Sequence, residues 1–147
     1  LILKELIMTV ATITTDINIG PFKIPSNGQN MIMNNYAQRN NIIVELVIPE
    51  PMMSQALATV QWIHKENKLT EVILSSIHQL PVDEDRINEL LNNMEDVVFH
   101  FALEGINGKG KTFLIKTIKE AKIFMNSQNL ESTKTTWLDL HKTMNNS

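Results

Sequence analysis

The chain has 147 residues and a formal charge of −3, with 43% hydrophobic and 20% charged residues and no cysteine. This length suits one domain with one core, and the composition is that of a globular protein rather than a disordered or membrane-spanning one. The lack of cysteine excludes disulfides, thiolate catalysis and sulfur-ligated metal sites.

No apolar run reaches the roughly 18 to 20 residues that cross a bilayer, and no secretory signal is evident. We therefore expect a cytoplasmic protein without membrane insertion. The acidic balance also predicts that nucleic acid is not a partner. Residues 1–7 precede Met8, so they are either vector-derived or the end of a longer upstream segment.

Four units along the chain repeat one rhythm, in which an apolar, β-branched run is followed by a polar turn and then by apolar residues at helical spacing. The predicted strands are residues 10–15, 42–48, 69–77 and 97–103, and the predicted helices are residues 28–40, 54–67, a segment capped by Asp83, and residues 112–125. This rhythm is typical of a parallel sheet covered by helices. We predict a single-domain α/β three-layer sandwich, residues 1–126, with a mostly parallel sheet of about four strands. Residues 127–147, with Trp137 as the main anchor, are predicted to form a final helix or a docking tail.

In a parallel sheet, ligands bind where the strands' carboxyl ends meet. His78 follows the third predicted strand beside two serines, so it is a candidate general acid or base, although a loop histidine bonded to the backbone is equally compatible. Glu104 ends a strongly apolar strand, where a carboxylate is costly unless it faces a site or a partner. Asp16, Glu50 and Glu104 share the same edge, either as an acidic cluster or as helix caps. His100, within an apolar strand, is interpreted as a core residue, and no metal site is predicted from histidine spacing.

Residues Gly105 to Thr112 read GINGKGKT and match the phosphate-binding pattern G-x-x-x-x-G-K-[ST]. Only 35 residues follow Thr112, too few for the strands that supply the metal-holding and water-positioning groups of a nucleoside triphosphatase. The segment is therefore interpreted either as a solvated turn or as a weaker anion-binding loop, in which Gly110, Lys111 and Thr112 hold the anion.

Several short pieces between residues 10 and 106 resemble the sporadic carbohydrate cluster family of bacterial surface-polysaccharide gene clusters. The matching pieces are Lys23-Ile24-Pro25, Gln29-Asn30, Tyr36, Gln79-Leu80-Pro81, Arg86 and His100-Phe101-Ala102-Leu103-Glu104-Gly105. That family is itself similar to the serine recombinase catalytic domain, which implies a resolvase-like fold. The recombinase pattern has an arginine and a nucleophilic serine close after the first strand, where this chain has Thr14, Thr15 and Asp16.

The resemblance implies a role in bacterial surface-glycan biosynthesis through binding of an anionic sugar or sugar nucleotide. In that hypothesis Lys23 and Arg86 pair with phosphate or carboxylate, Gln29, Asn30 and Gln79 bind hydroxyls, and His78 and Glu104 are the acid–base candidates. No cofactor is expected. Two alternatives stay open, namely a non-catalytic interaction module, with a homodimer as one assembly, and a small nucleotide-binding protein that uses the loop of residues 105–112.

Overall fold

The structure, a computed structural model, describes residues 9–15, 18–19, 22–50, 57–81 and 83–127. The predicted tail beyond residue 127, the segment of residues 1–7 and Asp16 lie outside the described residues. In chain order the elements are β1 (Thr9–Thr14), β2 (Asn18–Ile19), β3 (Phe22–Lys23), α1 (Ser26–Arg39), β4 (Leu46–Pro49), α2 (Ala58–Asn67), β5 (Leu69–Leu74), a 3₁₀ helix (Ile77–Gln79), α3 (Glu84–Met94), β6 (Val98–Phe101), β7 (Ile106–Gly108) and α4 (residues 111–127).

A five-stranded sheet in the order β4-β1-β5-β6-β7 forms the centre of the fold. The first four of these strands are parallel, and β7 pairs antiparallel with β6. The predicted α/β class and the mostly parallel sheet are confirmed. The three-residue β7 was not predicted, because it lies inside the glycine-rich string and lacks an apolar run. A separate hairpin, β2 with β3, occupies the connection from β1 to α1.

Helices cover both faces of the sheet, and the two faces differ in how much apolar surface they bury. The larger core joins the sheet to α2, α3 and α4, and includes Ile13, Leu74 and Phe99, all fully buried. The helix α3 buries the four apolar residues that its periodicity predicted: Ile87, Leu90, Leu91 and Met94. The other face is covered by α1 through a smaller cluster of six buried residues: Val10, Met33, Tyr36, Ala37, Ile73 and Ala102.

One predicted strand begins later than the sequence indicated, and another ends earlier. Residues 42–45 precede β4 without strand pairing of their own, and Ile43 is 80% exposed. The predicted strand of residues 69–77 divides into β5 and the 3₁₀ helix. The division occurs because the Gln79 side chain accepts the backbone N–H groups of Ser75 and Ser76, which a continuing strand would have given to its neighbour.

None of the described helices combines the length and the apolar character that crossing a lipid bilayer requires.

Candidate functional site

The carboxyl ends of β1, β5 and β6 bring a set of polar side chains to one edge of the sheet. Gln29 from the start of α1 and Gln79 from the 3₁₀ helix are both completely buried there, together with Ser75 and Ser76. Buried polar groups of this kind persist only when they are hydrogen-bonded. The bonds that satisfy them define the local structure.

Two glutamines form hydrogen bonds with Thr15 at the end of β1. The Gln29 side chain accepts from the Thr15 N–H at 2.9 Å and donates to the Thr15 carbonyl at 3.1 Å and the Ile24 carbonyl at 2.8 Å. Gln79 donates to the Thr15 hydroxyl at 2.8 Å and accepts from the Ser75 hydroxyl at 2.8 Å. In this structure both amides bind the protein's own strand ends. Their predicted role in ligand binding stays a prediction.

Glu104 lies in the turn between β6 and β7 and connects it to the 3₁₀ helix. One carboxylate oxygen accepts from the Ser76 hydroxyl and the other from the Ile77 N–H, each at 2.8 Å. The Ser76 hydroxyl in turn accepts from the His78 N–H at 3.2 Å and caps the 3₁₀ helix. Glu104 and the turn that carries His78 therefore form one unit, as their positions after adjacent strands predicted.

His78 is half-buried, and its ring lies 5.6 Å from the ring of Phe124 on α4. Burial lowers the pKa of the His78 imidazole, and the negative charge of Glu104 opposes that shift. The ring is therefore neutral at physiological pH and can accept a proton. The predicted role of His78 and Glu104 as an acid–base pair stays a prediction.

A second hydrogen-bonded group, on the α1 face of the sheet, was only partly visible in the sequence. The Tyr36 hydroxyl lies 2.8 Å from His100 Nδ1, and His100 Nε2 lies 2.7 Å from Glu71 Oε1. Since a carboxylate only accepts, Nε2 of His100 donates to Glu71. His100 is buried, as predicted. Its partner Glu71 could have been suspected from the sequence, because it is a charged residue inside the apolar run LTEVIL.

The other residues predicted to bind a ligand are Lys23, Asn30 and Arg86, and they take no part in the hydrogen bonds described above. Lys23 is exposed in the β2–β3 hairpin, and Asn30 is half-buried on α1. Arg86 is exposed on α3, 3.8 Å from Glu89. Their roles as binding residues stay predictions.

Glu50 caps a helix, which is one of the two roles foreseen for the acids at this edge. Its carboxylate accepts the Thr59 N–H at 2.9 Å and the Val60 N–H at 3.2 Å at the start of α2. Burial raises the Glu50 pKa, partly offset by these backbone bonds. Among the described residues, no group of three or more histidines and acids lies together as a metal site would require.

The string GINGKGKT folds as a hairpin followed by a helix. Its residues Ile106–Gly108 form β7, Gly110 has a positive φ of 87°, and α4 begins at residue 111. A phosphate loop wraps its backbone around an anion between a parallel strand and a helix, whereas three of these eight residues pair antiparallel with β6.

Exposed lysines follow one side of α4, and we call Lys111, Lys116, Lys119 and Lys122 the lysine side of α4. At 3.6 residues per turn they lie within about 140° of the helix circumference. This arc borders the buried Ile118 and includes Ile115, which is partly buried against the core. Lys111, Lys116 and Lys119 also line a groove of about 500 Å³. Residues 105–127 contain five lysines and one glutamate, so this segment carries +4 in a chain whose total charge is −3.

No protein-family model and no curated protein matches the chain. Solved structures do match its fold. The N-terminal catalytic domain of TP901-1 integrase aligns with a TM-score of 0.56 and 13% identity over 82% of this chain and 98% of that one. A resolvase family site-specific recombinase from Streptococcus pneumoniae aligns with a TM-score of 0.55 and 13% identity over 92% of this chain and 99% of that one.

These comparisons confirm the resolvase-like fold and correct the predicted function. The resemblance to the sporadic carbohydrate cluster family is not supported. The predicted role in glycan biosynthesis with a sugar ligand is wrong, because the structures that match the fold are an integrase catalytic domain and a site-specific recombinase. The prediction that nucleic acid is not a partner is wrong for the same reason.

Proposed function

We propose that this chain is a DNA-binding domain that takes part in site-specific recombination and contacts phosphates through the lysine side of α4. The observation that carries the proposal is the local charge of +4 on residues 105–127 in a chain of net charge −3. The likeness in fold to a site-specific recombinase supports it.

The geometry of α4 suits the backbone of a duplex. From Lys111 to Lys122 the helix advances about 16 Å at 1.5 Å per residue, and the four lysines of this stretch, including the two at its ends, are all exposed. Lysine side chains bind phosphates as point charges and carry no base specificity by themselves. We therefore assign this surface to positioning on DNA rather than to sequence reading.

Salt dependence measures how many phosphates the lysines contact. Four contacts give a slope of about −3 to −4 in log K against log salt concentration. Fluorescence anisotropy of a labelled duplex between about 50 and 200 mM salt measures that slope. In the double variant Lys116→Gln/Lys119→Gln the slope falls by about 2, because two contacts are lost.

A matched control is available on another helix. Lys65→Gln/Lys68→Gln removes two exposed lysines at the end of α2 and leaves α4 intact. This control retains the wild-type slope and affinity. Equal losses in both double variants, or no binding at low salt, would show that α4 is not the contact surface.

A second candidate function, phosphodiester cleavage at the sheet edge, is favoured by the lowered pKa of His78. In this hypothesis the neutral His78 imidazole takes a proton from a water molecule as the water oxygen bonds to phosphorus. The P–O bond to the deoxyribose breaks, and solvent protonates the leaving oxygen. Glu104 positions His78 by fixing the 3₁₀ helix through Ser76 and Ile77. A supercoiled plasmid is nicked by the wild-type chain, and His78→Gln abolishes nicking while anisotropy shows unchanged DNA binding. Nicking that survives His78→Gln would rule out this role.

A further inference from the structure

Among the described helices, α1 buries the largest number of polar side chains. The buried residues of α1 are Gln29, Met33, Tyr36 and Ala37, so an amide and a phenol take two of the four places. The apolar cluster beneath α1 has six buried members, whereas the cluster on the opposite face has twenty. Because apolar burial provides most of the docking free energy, α1 is held less firmly than α3, whose four buried residues are all apolar.

Two polar contacts fix α1, and they lie two helical turns apart on its inner side. Near its start, Gln29 bonds both backbone groups of Thr15. Seven residues later, Tyr36 bonds His100, which is backed by Glu71. Gln29 contacts the end of β1, and Tyr36 contacts His100 in β6. Both contacts therefore break if α1 moves away from the sheet.

The first contact also determines what α1 covers. The Thr15 N–H and carbonyl, at the carboxyl end of β1, have the Gln29 amide as their partner, and Gln79 reaches the Gln29 oxygen at 3.4 Å. Movement of α1 would break these bonds and leave Thr15 and Gln79 with free donors and acceptors at the edge where Glu104 and His78 lie.

We propose that α1 is a cover over the carboxyl end of β1 that opens as a unit, while the sheet and the other helices stay folded. The Gln29–Thr15 and Tyr36–His100 contacts are its two latches. The proposal concerns access to the sheet edge and does not depend on what that edge binds.

Residue-resolved hydrogen exchange by NMR on the full chain tests this. In the wild type, the amides of Met33 and Ala37 in α1 exchange faster than those of Val72 and Ile73 in β5, and with a weaker dependence on denaturant, as sub-global opening requires. The Thr15 amide exchanges together with α1 and not with β1, because its acceptor is the Gln29 side chain.

Tyr36→Phe removes one latch and keeps the ring. Loss of one hydrogen bond accelerates exchange of the α1 amides and of Thr15 by about two- to ten-fold, with β5 and α3 unchanged. Asn93→Ala is the control, since it removes a 2.8 Å bond to Gln61 between α3 and α2 on the other face. This control leaves the exchange of α1 and Thr15 unchanged.

Three results would overturn the proposal. The α1 and β5 amides would exchange at one rate with one denaturant dependence, Tyr36→Phe would accelerate all amides equally, or Thr15 would follow β1. The wild-type comparison decides the question even if a variant fails to fold.

Discussion

The hydroxyl of Thr12 gives a direct test of how the sheet is packed beneath α1. Thr12 lies in the middle of β1, between Val47 of β4 and Ile73 of β5, and its side chain is fully buried. Its Oγ1 has no hydrogen-bond partner among the described residues. A buried polar group without a partner costs about 1–3 kcal/mol. Thr12→Val replaces this hydroxyl by a methyl group of similar shape and keeps the β-branch that favours a strand.

We expect Thr12→Val to stabilise the chain by about 1–2 kcal/mol, since the desolvation cost disappears and apolar burial increases. For a chain of this size, each kcal/mol raises Tm by about 2–4 °C. Urea denaturation followed by circular dichroism measures the change, as a higher midpoint with an unchanged slope.

Thr117→Val is the matched control, because Thr117 is also buried but its hydroxyl donates to the Phe113 carbonyl at 2.8 Å. It gains no stability. If Thr12→Val has an equal or lower midpoint than the wild type, the hydroxyl is satisfied in solution and the packing argument fails.

Three further predictions follow from other contacts. In Gly108→Ala the new Cβ would lie 2.7 Å from the Phe113 ring, so stability falls by about 1–3 kcal/mol. Urea denaturation measures the loss. If the clash is its cause, adding Phe113→Leu restores part of the lost stability. Because burial raises the Glu50 pKa, the folded chain binds this proton more tightly than the unfolded chain, so stability falls as pH rises through the carboxyl range. In urea titrations from pH 4 to 7, the free energy of unfolding of Glu50→Gln therefore rises relative to that of the wild type. A difference between the two that stays constant with pH would contradict this linkage. Because burial lowers the His78 pKa, stability is lost as pH falls below about 6.5, and His78→Gln flattens that part of the profile; an unchanged profile would mean that His78 titrates alike in both states.

The elements with strong periodicity were predictable, and the short or polar ones were not. The helix α3 has apolar residues at i, i+3, i+4 and i+7, and these alone determine its buried side. The strand β7 has three residues, none of them fully buried, and it reaches β6 through the turn that ends at Gly105. Tertiary pairing of this kind leaves no period in the sequence.

The candidate site was predictable as a location but not as a set of bonds. The rule that strand ends converge placed His78 and Glu104 together, and the structure joins them through Ser76 and Ile77. The partners of Gln29 and Gln79 could not be read from the sequence. They depend on where a 3₁₀ helix and a helix start lie in three dimensions, over separations of 14 and 64 residues.

In the glycine-rich string of residues 105–112, the fold accounts for the glycines but not for the lysines. Gly105 and Gly110 have φ values of 67° and 87°, a region that glycine enters without strain. The first follows the tight turn after β6, and the carbonyl of the second accepts from Leu114 at the start of α4. These glycines are therefore needed to turn a strand into a hairpin and a hairpin into a helix. The lysines are not needed for that path, since all of them are exposed. Their concentration on one side of α4 is the feature that the fold leaves unexplained, and the phosphate contacts that we propose account for it.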